Sequence, residues 1–69
     1  MNIIEVGDLL RFWDDYYLAY NYCIVTSVSA DGMNRDICRI LWLDNVEEPT
    51  QLLWTRNIYE NPDVWSKLS

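Results

Sequence analysis

Histidine is absent from this 69-residue chain, and cysteine, glycine and proline occur only twice each. Each scarcity removes a class of function. Without histidine, acid–base chemistry near neutral pH loses its usual carrier. With Cys23 and Cys38 the only thiols, the four nitrogen or sulfur ligands of a structural zinc site cannot be assembled within one chain. No metal or other cofactor is expected. Two cysteines behind an N-terminus with neither a basic stretch nor an apolar leader-like run do not read as a secreted disulfide scaffold, so a reducing compartment and two reduced, half-buried thiols are expected. Basic residues are scarce too: five Lys and Arg face eleven Asp and Glu, for a net charge of −6. Nucleic-acid affinity rests largely on phosphate neutralisation, so no nucleic-acid partner is expected, although Arg11, Arg35, Arg39 and Arg56 are available to cluster. The same acidity disfavours anionic membrane surfaces, and no apolar run approaches the roughly 20 residues that span a bilayer.

What the chain does have is hydrophobic surface. Hydrophobic residues make up 51% of it, which excludes a disordered tail, and ten residues are aromatic: Phe12, Trp13, Tyr16, Tyr17, Tyr20, Tyr22, Trp42, Trp54, Tyr59 and Trp65. A single domain over residues 1–69 builds a core that rarely supplies more than roughly 3–5 kcal/mol of net stability. Docking on a partner would add to it by mass action. A core of this size takes one or two of the four Trp, so other aromatics must face outward. Tyr and Trp are favoured at the centres of protein interfaces, where they order a large area at low entropic cost.

Hydrophobic periodicity organises these residues into short strands. In "VGDLLRFW", residues 6–13, alternation places Val6, Leu10 and Phe12 on one face and Leu9, Arg11 and Trp13 on the other, entered through a Gly7-Asp8 turn. "DDYYLAY" breaks that strand and forms a Tyr-rich loop. "YCIVTSVSA", residues 22–30, is dense in β-branched residues, and Asp31-Gly32 after it is a hairpin signal. The return strand "ICRILWLD", residues 37–44, puts Cys38, Ile40 and Trp42 on one face. Cys23 and Cys38 miss direct opposition in such a hairpin by a residue or more. "NVEEP" turns the chain ahead of a fourth strand, "TQLLWT", residues 50–55. "RNIYE" reads as a single turn leading to a brief strand at residues 58–60. Asn61-Pro62-Asp63 reads as a helix N-cap, so "NPDVWSKL" is expected to form one or two helical turns.

Strands at spacings of about ten residues in so small a chain predict an all-β barrel of about five strands with a short C-terminal helical turn. The order "VGDLLRF", "YCIVTSV", "ICRILWLDN" and "TQLLWTRNIYE" resembles the small SH3-like barrel proteins of tailed bacteriophages, over roughly residues 4–60. The likeness lies in fold-determining positions and carries no catalytic signature. Tyr22 or Cys23 stands where a glycine often opens the second strand, and the Trp65 tail lies outside the pattern. The resemblance implies a virion component of the head, neck or tail, or an accessory made in the host cytoplasm during assembly.

Chemistry offers little competition to a binding role. The pairs Asp14-Asp15 and Glu47-Glu48 are adjacent acids in turns, which point apart and serve as solvated loop charge. "DNVEE" offers oxygens to calcium but lacks the ligand alternation and glycine of an EF-hand loop. A nucleophilic thiol needs a basic group or a helix N-terminus that lowers its pKa, and neither is evident for Cys23 or Cys38. The expectation is a non-enzymatic structural or accessory subunit of a phage virion that binds larger phage proteins, or further copies of itself, through Trp13, Tyr16, Tyr17, Tyr20 and Trp65. The alternative is a free adaptor in the infected cell, with "DDYYLAYNY" and Trp54 forming an SH3-type groove for proline-rich peptides or a Tudor-type cage for methylated cations.

Overall fold

The computed structural model describes residues 3–29, 37–43, 47 and 49–68. In chain order the elements are β1 (Leu9–Asp14), β2 (Ala19–Val28), β3 (Ile37–Trp42), β4 (Thr50–Trp54), α1 (Thr55–Tyr59) and β5 (Trp65–Lys67). The five strands form one antiparallel sheet in the order β4-β3-β2-β1-β5, the all-β, barrel-like arrangement expected from the sequence. The sheet is open: β4 and β5 are its two edges, and α1 links them in sequence. Ile58 and Thr55 of α1 are buried, and the helix is tied to the other end of the chain by the Ile4 N–H, which donates to the Tyr59 hydroxyl at 2.9 Å.

Period-two alternation sorts the core as expected. Leu10 of β1, Cys23 and Val25 of β2 and Cys38 and Ile40 of β3 are buried together with Ile4, Ile58 and Trp65. Phe12, Val28, Trp42, Leu53 and Val64 pack against them. Full burial of each large aliphatic side chain contributes about 1.5–3 kcal/mol before the entropy of ordering the chain is set against it. Val6, expected on the inner face, lies instead ahead of β1 and is exposed. The turn there is built as the sequence suggests: Gly7 adopts φ +94°, and the Asp8 carboxylate accepts the Glu5 N–H at 2.8 Å. The chain then joins the sheet directly, since Gly7 donates to the Val25 carbonyl and Val25 donates to that of Asp8.

The tail departs from expectation. The helix lies at Thr55–Tyr59, where a turn and a strand at residues 58–60 were expected, and the final strand lies at Trp65–Lys67, where helical turns were expected. The Asn61-Pro62-Asp63 signal forms only one turn: the Asn61 carbonyl accepts from Val64 at 3.0 Å and from Trp65 at 2.9 Å, and the chain then straightens. β1 decides the outcome. Its outer edge is otherwise unpaired, and β5 fills it in the register Leu10↔Lys67, Arg11↔Ser66, Phe12↔Trp65. That register puts the Trp65 ring 4.8 Å from Phe12 and 6.1 Å from Trp42, which outweighs a second helical turn in a short exposed segment.

The two thiols are fully buried rather than half-buried, and both are free. Cys38 pairs in register with Val28 and Cys23 with Trp42, so they are not opposed. Burial first, and a charge on Cys38 second, push the Cys23 thiol up from 9.0 to about 12; burial also raises Cys38. Both are therefore inert neutral side chains of the core near neutral pH. The Asp31-Gly32 turn, Arg35, and the Asp44, Asn45 and Glu48 parts of the acidic turn lie outside the described residues.

Candidate protein-binding surface

β2 is the longest strand, and its two halves do different work. Its second half carries β3 in register from Cys23↔Trp42 onward, with Leu43 N–H still donating to the Tyr22 carbonyl, whereas Ala19–Asn21 pairs, among the described residues, with β1. Among the described residues the β1–β2 hairpin therefore runs on past β3, and its end is the four-residue loop Asp15–Leu18. "DDYYLAY" is thus a tighter hairpin than the sequence suggested: the second strand, expected from Tyr22, starts at Ala19, so Tyr20 belongs to it as well.

This tip exposes Tyr16 (85%), Tyr17 (75%) and Leu18 (73%), three consecutive large side chains with little contact to the fold. Such exposure is not slackness. The Asp14 carboxylate accepts the backbone N–H groups of Tyr16 at 2.9 Å and Tyr17 at 3.2 Å, and the two rings meet edge to face at 4.8 Å. Leu18 holds φ +52°, a left-handed conformation that costs a non-glycine residue about 1–2 kcal/mol. Trp13 and Tyr20 pair across the strands with rings 4.9 Å apart, and the Trp13 indole Nε1–H donates to Asp15 at 2.6 Å. Tyr20 is sandwiched further by Arg11, whose guanidinium carbon lies 4.2 Å from the ring centroid. The Arg11 Nε is buried with no hydrogen-bond partner, so that stem is held by the ring more than by polar contacts. The arrangement is a stiff, aromatic, acid-tipped knob, already ordered before any partner arrives.

Of the five side chains that the sequence offered for binding, Tyr16, Tyr17 and Tyr20 are exposed on this hairpin and Trp13 is half-buried beside them. Trp65 does not join them: it is 7% exposed and belongs to the core, because its strand completes the sheet. The groove imagined between the Tyr-rich loop and Trp54 is not assembled. Trp54 pairs with Ile37, beside Ser29 beyond the far end of β2, whereas the tip lies at its start. Arg11, Arg39 and Arg56 do not form one basic groove either, since Arg11 is engaged with Tyr20 on β1 while Arg39 and Arg56 flank β4.

Sequence reading missed a second exposed surface. Leu52 (60%) and Trp54 (51%) stand outward on edge strand β4, and an open depression of about 230 Å³ is lined by Ile37, Leu52, Leu53 and Trp54. The signal was present, since alternation along "TQLLWT" separates Leu52 and Trp54 from Leu53. Among the described residues no group of three or more acidic, Cys or His side chains is placed to hold a metal ion. Compared with known proteins, the chain matches no family model, no curated protein and no solved structure.

Proposed function

We propose that this protein is a non-enzymatic structural or accessory subunit that binds protein neighbours through its aromatic hairpin tip, and that it serves a phage particle or its assembly. The observation that carries the reading is the pair Tyr16 and Tyr17, held out of the fold yet fixed by Asp14. A rigid aromatic pair exposed in water contributes little to the chain's own stability, and it matches the residue types that dominate interface hot spots. The phage setting comes from the order of fold-determining residues in the sequence.

The test is a double substitution, Tyr16→Ser with Tyr17→Ser. The variant should keep the wild-type circular dichroism spectrum and melting temperature yet fail to comigrate with the particle fraction of an infected lysate on a density gradient. A folded variant that is incorporated at the wild-type level overturns the reading. A wild-type chain that stays free in the lysate rejects the virion subunit in favour of the adaptor.

A further inference from the structure

The knob and the depression differ in charge as well as in shape. Asp14 and Asp15 lead into the aromatic tip, whereas Arg39 and Arg56 flank the depression. Arg39 is the cross-strand partner of Leu52, and the Arg56 guanidinium carbon lies 6.0 Å from the centroid of the Trp54 ring. The ion pair Lys67–Asp8, at 3.2 Å, lies elsewhere, so among the described residues Arg39 and Arg56 have no carboxylate partner. In a chain of net charge −6 this places two of its five cations on apolar surface, with Glu60 at the end of α1 the nearest described acid in sequence to Arg56.

The two surfaces cannot meet within one molecule. They sit at opposite ends of the ten-residue β2, which at roughly 3.3 Å per residue spans about 30 Å. The longest dimension of the whole fold is 37 Å. One end therefore presents a convex, aromatic, acidic feature, and the other a concave, apolar, basic one.

We propose that copies of this chain associate head to tail, the Tyr16 and Tyr17 rings of one copy seating in the Ile37, Leu52 and Trp54 depression of the next, with Asp15 facing Arg39 and Arg56. This rests on the reading of the tip as a protein-binding surface and names its partner. A symmetric contact of tip on tip brings four carboxylates together on molecules that already repel, and depression on depression brings four guanidinium groups together. Only the head-to-tail pairing opposes unlike charges and fits knob to hollow. Such a contact leaves one free knob and one free depression on every pair, so it continues until the rotation per step closes a ring or, failing that, extends as a filament.

Charge reversal tests both sides of the contact. Asp15→Lys leaves Asp14 beside one lysine and so neutralises the tip, and Arg39→Glu with Arg56→Glu gives a chain acidic at both ends. By light scattering and sedimentation velocity at moderate salt, the wild type should grow beyond monomer mass as concentration rises. Each variant alone should associate at least tenfold more weakly, and an equimolar mixture of the two should associate more strongly than either alone, because the acidic tip of one then meets the arginine-flanked depression of the other. Asp15→Asn, which keeps an acceptor oxygen for the Trp13 indole N–H, replaces Asp15→Lys if that variant melts early. A wild type that remains monomeric at millimolar concentration overturns the proposal. So does a mixture of folded variants that stays monomeric, or an arginine double variant that associates as the wild type does. Particle incorporation separates this failure from failure of the parent reading: a monomeric wild type whose incorporation still needs Tyr16 and Tyr17 has a binding tip with a different partner.

Discussion

Phe12 and Trp13 are neighbours in sequence and belong to different regions of the molecule. Phe12 turns inward to Trp42 and Trp65, where three rings lie within 4.8–6.1 Å of one another and lock β1 to β5 and β3. Trp13 turns outward to Tyr20 and Asp15, in a hairpin held by local hydrogen bonds and one cation–π contact. The same residue types thus do opposite work one pleat apart. Inside, aromatic area removed from water supports the fold; outside, it is kept in water, and the polar groups around it fix its shape without hiding it.

Breaking the inner region should have the largest effect. Trp65→Ala removes the side chain that anchors β5 and should cost about 3–5 kcal/mol, comparable to the whole net stability of so small a domain. Loss of the native circular dichroism signal at 25 °C is the expected outcome, and a cooperative wild-type-like melt would show that β5 is dispensable. Ile40→Ala, at the centre of β3, should cost about 2–5 kcal/mol by the same measure, read as a lower urea midpoint.

Alkaline pH probes the same region through its thiols. Cys23 is held at about 12 in the fold against 9.0 when exposed, so between those values the folded chain keeps a proton that the unfolded chain has lost. Stability is therefore complete below pH 9 and falls as pH rises from there towards 12, by at most about 1.4 kcal/mol per pH unit for this group. Cys23→Ala should flatten part of that decline in urea melts taken from pH 8 to 11, and an unchanged slope would show that the thiol is not shielded. Lys67→Met removes the ion pair with Asp8, and the donor to the Ile3 carbonyl, at a largely covered site, and should cost about 1 kcal/mol. Smallest of all, Tyr16→Ser with Tyr17→Ser should change the urea midpoint by no more than about 0.5 kcal/mol, although this is the change expected to abolish partner binding. A large loss of stability there would move the tip into the same class as Phe12.

The difference between the two regions also explains what was legible in the sequence. Period two read the faces of β1 and β3 correctly, because a residue such as Ile40 is inside or outside by its position in a pleat. It placed Tyr16 and Tyr17 outside because no strand claims them. It failed for Trp65, because nothing in "NPDVWSKL" says that an unpaired edge of β1 lies close by. Asn61-Pro62 does begin a turn, and only the register Phe12↔Trp65 shows why that turn stops. The depression beside Leu52 and Trp54 went unseen for a similar reason, since a concavity between β3 and β4 belongs to a pairing rather than to either segment.

The pairing of β1 with β5 bears on how the molecule folds as well as on how it stands. Phe12↔Trp65 and the Ile4–Tyr59 bond join residues at nearly opposite ends of the described chain, whereas the β1–β2 and β3–β4 contacts are between neighbours in sequence. Local hairpins can form in microseconds, but a closure over so long a loop must first meet its full entropic cost. Until it does, the inner rings of Phe12 and Trp42 lack their cover, and the rate at which that last strand arrives sets how long the core stays open to wrong partners.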